Sequence, residues 1–112
     1  MNEQIDYVEF PTGDRAATSA FFTAAFGWDM TSYGPDYDGL NGAGIDGGID
    51  QGAGRVAATM VIVRSDDLDD AERRVIAAGG VITRAQFDFP GGRRFHFREP
   101  GGNEMAVWIS RD

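Results

Sequence analysis

The sequence contains no cysteine, no lysine and a single histidine. Without cysteine the chain can form no disulfide, no thiolate nucleophile and no zinc site with sulfur ligands, and this composition fits a reducing cytoplasm. Without lysine it can form no Schiff base with a substrate, and its 10 basic residues are all arginine. The single histidine, His96, excludes metal sites that need several histidine ligands.

Positive charge is also scarce. The 10 arginines are outnumbered by 18 aspartates and glutamates, so the formal net charge is -8. An acidic surface repels a phosphate backbone, and we therefore expect no nucleic-acid partner. No apolar run approaches the roughly 18 residues that cross a bilayer, so we expect no membrane association. The opening residues, MNEQIDYVEF, lack the features of an export signal, and we expect a cytoplasmic protein.

Apolar residues are sufficient for one folded domain. The chain has 112 residues, of which 42% are hydrophobic and 12% are aromatic. A domain of roughly 100 to 150 residues buries about two-thirds of its unfolded surface, and this length leaves no room for a second independent domain. We predict a single domain over residues 1–112.

The two halves of the chain resemble each other at an offset of 53 residues. The stretch YVEFPTGD (residues 7–14) pairs with MVIVRSDD (residues 60–67), and TAAFGW (23–28) pairs with IAAGGV (76–81). Aspartate recurs at the expected start of a helix, and glycine recurs at its expected end, where Gly27 pairs with Gly80. The chain is therefore predicted to contain two modules, at about residues 1–54 and 55–112.

Each module has the same predicted order of elements. A strand rich in β-branched and aromatic residues opens each one, and a helix follows Asp14 or Asp67. Three short strands come after each helix. The predicted strands are residues 5–10, 28–33, 38–41 and 44–49 in the first module and 59–63, 81–87, 93–98 and 104–109 in the second. The order βαβββ, twice, is that of an α+β protein.

Apolar residues recur at helical spacing in both predicted helices, and we expect these stripes to be the packing faces. The stripes consist of Ala17, Phe21, Phe22, Ala24, Ala25 and Phe26 in the first helix and of Leu68, Ala71, Val75 and Ala78 in the second.

Residues 34–54 contain 8 of the 16 glycines. The stretch lacks the Gly-x-x-x-x-Gly-Lys pattern of a phosphate loop, and we predict that Ile45 and Ile49 are inward-facing strand residues within it.

Two further stretches carry a resemblance to a known family. Residues 14–28 end in AAFGW, and residues 95–108 read FHFREPGGNEMAVW. Together with the repeated module they resemble the vicinal oxygen chelate superfamily, which includes glyoxalase I, bleomycin-resistance proteins, fosfomycin-resistance proteins and extradiol dioxygenases. The most specific element is Phe97 to Asn103, which is similar to the family's aromatic-x-Asp-Pro-x-Gly-Asn turn, with Glu99 where aspartate is usual.

The resemblance implies two tandem βαβββ modules that form an open, cup-shaped mixed sheet with the helices on its outer face. It also implies a divalent ion held by His, Glu or Gln side chains of the first and last strands of the modules. Tyr7, Met60 and Ala106 occupy those positions here. A thioether, a methyl group and a neutral phenol are poor ligands for a hard ion, so we predict no metal and no cofactor.

The alternative to a metal-free protein is a metal site formed by other residues than those at the family's ligand positions. Glu9 and Glu104 lie near the family's ligand positions by strand alternation, and they would have to regroup around an ion with His96.

Strand alternation also indicates which side chains share the cup. Phe95 and Phe97 belong in the helix-covered core, so Arg94 and His96 should point into the cup. The residues expected to contact a ligand are Tyr7, Tyr37, Met60, Ile62, Arg94, Glu104, Ala106 and Trp108.

His96 and Glu9 are the candidate catalytic residues. His96 has the only side chain whose ordinary pKa lies near neutrality, so it could transfer protons or, equally, be a hydrogen-bonded structural residue. Glu9 could be its acid–base partner or an anchor for His96 or an arginine. Arg93 and Arg94 could clamp an anionic ligand as a fork or form a salt-bridged edge.

Two functions follow from these expectations. The preferred hypothesis is a small-molecule binding protein that resembles the metal-free bleomycin-resistance branch and takes a planar aromatic ligand with an anionic end. The alternative is a glyoxalase-related lyase or isomerase in which His96 and Glu9 act as acid and base. We also expect a homodimer, because an open cup exposes more apolar surface than a monomer of this size usually tolerates.

Overall fold

The computed structural model describes residues 1–112, which form eight strands and two helices. Their order confirms the two βαβββ modules that the repeat predicts. In chain order the elements are β1 (Gln4–Pro11), α1 (Arg15–Phe26), β2 (Asp29–Ser32), β3 (Tyr37–Asn41), β4 (Asp46–Asp50), β5 (Met60–Arg64), α2 (Leu68–Ala77), β6 (Val81–Phe89), β7 (Gly92–Arg98) and β8 (Glu104–Ser110).

The chain divides into two compact units. The first unit is Tyr7–Met60, and the second unit is Val61–Asp112 together with Met1–Asp6. Neither helix, at 12 and 10 residues, has the length and apolar character that a membrane crossing requires.

The strands of the first unit lie in the order β2-β3-β4-β1. β1 runs parallel to β4, whereas β3 pairs antiparallel with both β2 and β4, so the pairing is mixed. In this register Glu9 lies beside Gly48, and Gly48 lies beside Gly39. The two glycines leave the sheet without side chains next to Glu9.

The strands of the second unit lie in the order β5-β8-β7-β6. β5 runs parallel to β8, and the other neighbours are antiparallel. The pairing of β6 with β7 is irregular at two places, between Ile82 and Arg84 and between Arg84 and Phe87. Such bulges change which face of the sheet the following side chains occupy.

Helix α2 packs on the apolar face of the second unit. Leu68 and Ala71 of the helix join Phe95, Phe97 and Val107 of the strands in one buried cluster. Phe95 is 0% exposed, and burying a side chain of this size contributes about 1.5–3 kcal/mol. The two phenylalanines of β7 thus lie on the helix-covered face, as strand alternation predicts.

Both helices begin at the predicted aspartates. The Asp14 carboxylate accepts a hydrogen bond from the backbone N–H of Ala17, and Asp67 does the same for Asp70. These bonds satisfy N–H groups that have no partner within the first helical turn. Helix α1 ends at Gly27, whose φ of 74° is left-handed.

The end of α2 differs from the prediction. The left-handed residue is Gly79, with φ of 100°, and not Gly80. The backbone N–H groups of Gly79 and Gly80 donate to the carbonyls of Ile76 and Val75, which is the Schellman arrangement. The pairing of Gly27 with Gly80 as equivalent helix stops is therefore wrong, because the left-handed glycine lies 13 residues after Asp14 in the first module and 12 residues after Asp67 in the second.

The packing face of α1 is polar in its first turns and includes only Phe22 of the predicted apolar stripe, which corrects that prediction. No residue of this helix is buried. The face toward the sheet carries Arg15 and Ser19, and both bind the buried carboxylate of Asp38, at 2.6 and 2.7 Å. Phe22, one turn further along, packs on Phe10 with ring centroids 5.2 Å apart. A buried carboxylate needs charged and polar partners, so it selects this face of the helix.

The rest of the predicted stripe faces outward. Phe21 and Phe26 are 61% and 59% exposed. Ile45 is also 38% exposed, whereas Ile49 is fully buried. Ile45 precedes the first residue of β4, so strand alternation does not apply to it, and its predicted inward orientation is wrong.

Candidate functional site

One face of the second unit carries two rows of cross-strand partners. Partners across a sheet present their side chains on the same face. The first row is Arg84, His96, Ala106 and Ile62, and the second is Phe87, Arg94, Trp108 and Arg64. This face is opposite to the one that holds Phe95 and the α2 core.

The bulge in β6 brings Arg84 and Phe87 onto this face together. Three positions separate them, whereas their partners His96 and Arg94 are separated by two. In a regular strand, residues three positions apart point to opposite faces. The extra residue in β6 therefore adds Phe87, and with it Phe89 two positions further on, to the face.

Arginines and aromatic rings alternate across this surface. The guanidinium carbons of Arg84 and Arg94 lie 3.6 and 5.4 Å from the centre of the Phe87 ring. Arg94 also lies 5.7 Å from the centre of Phe89, which in turn packs on Trp108 at 6.1 Å. We refer to this surface as the arginine–aromatic face, and it consists of Arg64, Arg84, Phe87, Phe89, Arg94 and Trp108.

The far end of the arginine–aromatic face is formed by Arg64 and Trp108. The guanidinium carbon of Arg64 lies 5.2 Å from the centre of the Trp108 ring. The indole N–H of Trp108 donates to the carboxylate of Asp6 at 2.9 Å, which fixes the plane of the ring. Contacts of this kind between a cation and a ring are favourable when the ring face is presented to the charge.

His96 lies beside this face as a neutral imidazole. Burial, and then the positive charges of Arg94 and Arg84, lower the pKa of His96 from 6.5 to about 4, while the charge of Glu104 opposes the shift. Arg94 donates its Nε–H to Nε2 of His96 at 3.1 Å, so Nε2 is unprotonated and the ring proton lies on Nδ1. At neutral pH the positive charge of this face therefore belongs to the arginines alone.

The first unit holds a second polar cluster, built around Glu9. This residue is only 5% exposed, and Tyr37 donates its hydroxyl proton to Oε2 of Glu9 at 3.3 Å. The hydroxyls of Tyr7 and Tyr37 are also hydrogen-bonded to each other. Because Tyr37 gives its only proton to Glu9, Tyr7 is the donor in that bond. Burial first, and then the proximity of Tyr7 and Glu9, raise the pKa of Tyr37.

Two glycines leave space for tyrosine rings, one of them the Tyr37 ring of this cluster. A Cβ atom added to Gly48 would lie 1.9 Å from the Tyr37 hydroxyl, and one added to Gly39 would lie 2.7 Å from the Tyr33 ring. Any larger residue at position 48 would displace the Tyr37 ring from Glu9. The glycine-rich stretch therefore supplies space for tyrosines.

The residues at the family's metal positions do not fit a metal ion. The Tyr7 hydroxyl is engaged with Tyr37, and Met60 and Ala106 are buried side chains without a hard donor atom. No group of three or more His, Cys, Asp and Glu side chains lies close enough together to hold an ion. Of the residues considered for a displaced metal site, Glu9 belongs to the first unit, and His96 and Glu104 belong to the second.

The predicted site residues divide between the units. Tyr7, Glu9, Tyr37 and Met60 belong to the first unit, and Ile62, Arg94, His96, Glu104, Ala106 and Trp108 belong to the second. Met60, Ile62 and Ala106 are no more than 2% exposed, so they shape the packing beneath the surface. Tyr7, Tyr37, Arg94, Glu104 and Trp108 are partly exposed.

The two adjacent arginines of β7 do not form a fork. Arg93 pairs with Asp88 at 3.0 Å and donates to Gln86 at 2.8 Å, on the face opposite to Arg94. Of the two alternatives considered for this pair, the structure shows the salt-bridged edge for Arg93.

Sequence reasoning missed Arg64, Arg84, Phe87 and Phe89. The alternation of Phe87 and Phe89 with polar residues is visible in the sequence, and it indicates that the two rings share a face. Which face they share depends on the bulge after Arg84, and no residue in that segment is a glycine that would mark a bulge.

A separate depression lies in the first unit and contains none of the predicted site residues. It has a volume of about 480 Å³ and is lined by Pro11, Thr12, Gly13, Ala53, Arg55, Val56 and Ala57. Its only charged residue, Arg55, donates to the backbone carbonyls of Gln51 and Gly52.

Comparison with known families yields one match. The model of the Glyoxalase/Bleomycin resistance protein/Dioxygenase superfamily matches residues 4–107. No curated protein matches the sequence.

Solved structures share this fold at low sequence identity. A member of the same superfamily from Vibrio splendidus 12B01 has 15% identity and a TM-score of 0.73, with 97% of this chain and 100% of that chain covered. A methylmalonyl-CoA epimerase from Mycobacterium tuberculosis has 14% identity and a TM-score of 0.72, covering 96% and 88%. The Mn(II)-bound glyoxalase from Novosphingobium aromaticivorans has 21% identity and a TM-score of 0.68, covering 97% and 41%. At these identities the likeness concerns the fold alone.

Proposed function

Because this chain belongs to the Glyoxalase/Bleomycin resistance protein/Dioxygenase superfamily, we propose that it is a small-molecule binding protein that works without a metal ion, similar to the bleomycin-resistance branch. Its ligand is a planar aromatic compound with an acidic group. The superfamily includes binding proteins and metal-dependent enzymes. The choice between these two functions therefore rests on the side chains present in this chain.

The observation that carries this proposal is the arginine–aromatic face. Phe87, Phe89 and Trp108 are partly exposed rings on which a flat apolar ligand can stack. Arg94 lies between the rings, and its planar guanidinium suits a carboxylate. A ligand with a flat body and an acidic end would satisfy both features at once.

The chemistry at the family's metal positions also favours binding. Tyr7, Met60 and Ala106 supply no set of hard ligands, and superfamily reactions that depend on chelation of substrate oxygens need such a set. Binding through rings and guanidinium groups needs no ion.

The proposal is tested by isothermal titration calorimetry with 2-naphthoate and its neutral analogue 2-naphthalenemethanol. We expect the parent protein to bind the acid roughly tenfold more tightly than the alcohol, as a charge-assisted hydrogen bond to Arg94 predicts. Arg94→Gln should remove this preference and leave the affinity for the alcohol unchanged. Trp108→Leu should weaken the binding of both compounds.

Arg93→Gln is the matched control, because it removes the neighbouring arginine from the opposite face. It should leave both affinities within about twofold of the parent. Absence of binding at millimolar concentration, or an unchanged preference in Arg94→Gln, would overturn the proposal.

A second candidate function, an acid–base isomerase or lyase, is favoured by the buried Glu9. A carboxylate that is 5% exposed and holds a tyrosine hydroxyl is shielded from water, which suits a group that accepts a proton from carbon. In this role Glu9 takes a proton from a carbon next to a carbonyl group and then returns it. The lowered pKa of His96 makes that residue a weak base and leaves no populated imidazolium at neutral pH.

This second function is tested by proton exchange. The protein is incubated in D₂O with a panel of α-hydroxyketones and 1,3-dicarbonyl compounds, and loss of the α-proton signal is followed by NMR. Catalysed exchange that disappears in Glu9→Gln and persists in Tyr33→Phe would support it. No exchange above the rate without protein, or equal rates for the parent and Glu9→Gln, would remove this candidate.

A further inference from the structure

Two arginines of the arginine–aromatic face, Arg64 and Arg84, form no salt bridge. Both are exposed, and both stack on rings of their own face. Elsewhere on the chain, Arg15, Arg73, Arg74 and Arg93 pair with carboxylates. Because the chain carries a net charge of -8, two guanidinium groups without a carboxylate partner on one face form a local concentration of positive charge.

Arg84 and Arg94 contact the same ring. Both guanidinium carbons lie within 5.4 Å of the centre of Phe87, one of them at 3.6 Å. A ligand that stacks beside this ring therefore has two guanidinium groups within the reach of one small aromatic molecule. A ligand with a single acidic group would bind one of these two guanidinium groups. The second guanidinium group would then face an apolar edge of the ligand.

The influence of these two charges is visible on His96. Arg94 and Arg84 both contribute to the lowered pKa of that residue, and Glu104 is the negative group that opposes them. The charges of both arginines thus act at His96, which pairs with Arg84 across the strands and lies two positions from Arg94 on β7.

We infer that the ligand of the arginine–aromatic face carries two acidic groups on one planar aromatic body, with Arg94 and Arg84 each binding one of them. The inference rests on the proposed function, because it refines the ligand of the same surface. It assigns a ligand-binding role to Arg84. This residue is not at one of the positions where the family carries its metal ligands.

The physical reason is the cost of bringing an anion to an acidic protein. The overall charge of -8 repels every anion, and it repels a dianion more strongly than a monoanion. A dianion therefore binds better than a monoanion only where two local positive charges outweigh that repulsion. Charge-assisted hydrogen bonds from two planar guanidinium groups can supply the difference.

The experiment compares naphthalene-2,6-dicarboxylate with 2-naphthoate by isothermal titration calorimetry at two salt concentrations. The two probes share a ring system and differ by one carboxylate. We expect the dicarboxylate to bind roughly tenfold more tightly at low salt, and we expect its affinity to fall more steeply as salt is added. Arg84→Gln should reduce the dicarboxylate affinity to that of 2-naphthoate and leave 2-naphthoate within about twofold of its parent value.

Arg73→Gln is the control for the loss of one positive charge, because Arg73 lies on α2 and pairs with Asp70. It should preserve the tenfold preference. Equal affinities of the two probes for the parent, or a preference that survives Arg84→Gln, would overturn the inference while 2-naphthoate binding still supports the proposed function. Failure of both probes to bind would overturn the inference and the proposed function together.

Discussion

Arg94 donates its Nε–H to Nε2 of His96 across 3.1 Å, and burial of the imidazole together with this permanent positive charge keeps His96 in the neutral form. The two residues lie on one strand two positions apart, and alternation places them on the same face. The only histidine of the chain therefore carries no charge at physiological pH. Ligand binding that depends on Arg94 should not depend on His96 protonation between pH 6 and pH 8.

The first prediction concerns this pair. We expect NMR titration of the imidazole to give a His96 pKa of about 4. Arg94→Gln should raise it toward 6.5, because the substitution removes a nearby positive charge and the donor to Nε2. Arg93→Gln should leave it unchanged, since Arg93 lies on the opposite face beside Asp88. A pKa near 6.5 in the parent protein would contradict the geometry of this pair.

The second prediction is the effect of His96 on stability. Its pKa is about 4 in the folded protein and 6.5 as its ordinary value, so between these values the unfolded chain binds more protons. Stability therefore rises with pH across this window and is lost as the pH falls from 6.5 toward 4. Urea unfolding should show a decrease of about 2 kcal/mol between pH 7.5 and pH 5. In His96→Gln this part of the pH dependence should disappear.

The third prediction tests the space reserved for Tyr37. Gly48→Ala should destabilise the protein by about 1–3 kcal/mol, because its Cβ would lie 1.9 Å from the Tyr37 hydroxyl. Gly54→Ala is the control, since nothing lies within 4 Å of a Cβ at that position. Chemical denaturation measures both. Equal stability of the two variants would show that Tyr37 does not occupy the space above Gly48.

The fourth prediction concerns the N-terminal segment. The Arg74 guanidinium, with the Ser65 hydroxyl as a second donor, lowers the pKa of Glu3 from 4.5 to about 2. A lowered carboxylate pKa contributes stability that is complete above pH 4.5 and is lost as the pH falls through about 2. Thermal unfolding between pH 5 and pH 2 should therefore be less pH-dependent in Glu3→Gln than in the parent. Asp36→Asn, an exposed substitution, should retain the parent's dependence.

The fifth prediction is the homodimer expected from the sequence. Phe21 and Phe26 of α1 are 61% and 59% exposed, and large rings at the surface favour association. Light scattering at micromolar concentration should give about twice the chain mass of 12.1 kDa. A mass of one chain would show that these rings remain in solvent and that the protein is a monomer.

Local signals in the sequence predicted most of the fold. The aspartates that start both helices, the eight strands and the two-module order are all present in the structure. The alternation of β7 separates Phe95 and Phe97 from Arg94 and His96, as predicted. These features depend on hydrogen bonds and steric contacts among residues close in the chain.

The composition of the candidate site was less predictable. The resemblance pointed to strand positions such as Tyr7 and Ala106, but two of the three rings of the arginine–aromatic face come from β6, where a bulge decides the orientation of Phe87. A bulge is a mismatch between two strands, so it cannot be detected in one strand alone.

The sequence by itself determined the alternation of side chains along the strands, the helix starts and the order of elements in the two modules, because each is a property of residue type and spacing along the chain. Only the tertiary structure decided which groups share an environment. Asp38 binds the polar side of α1, Gly48 leaves space for the Tyr37 ring beside Glu9, and burial together with Arg94 keeps His96 neutral. These outcomes arise between residues brought together by strand register and burial, where charge and space are set by the whole fold.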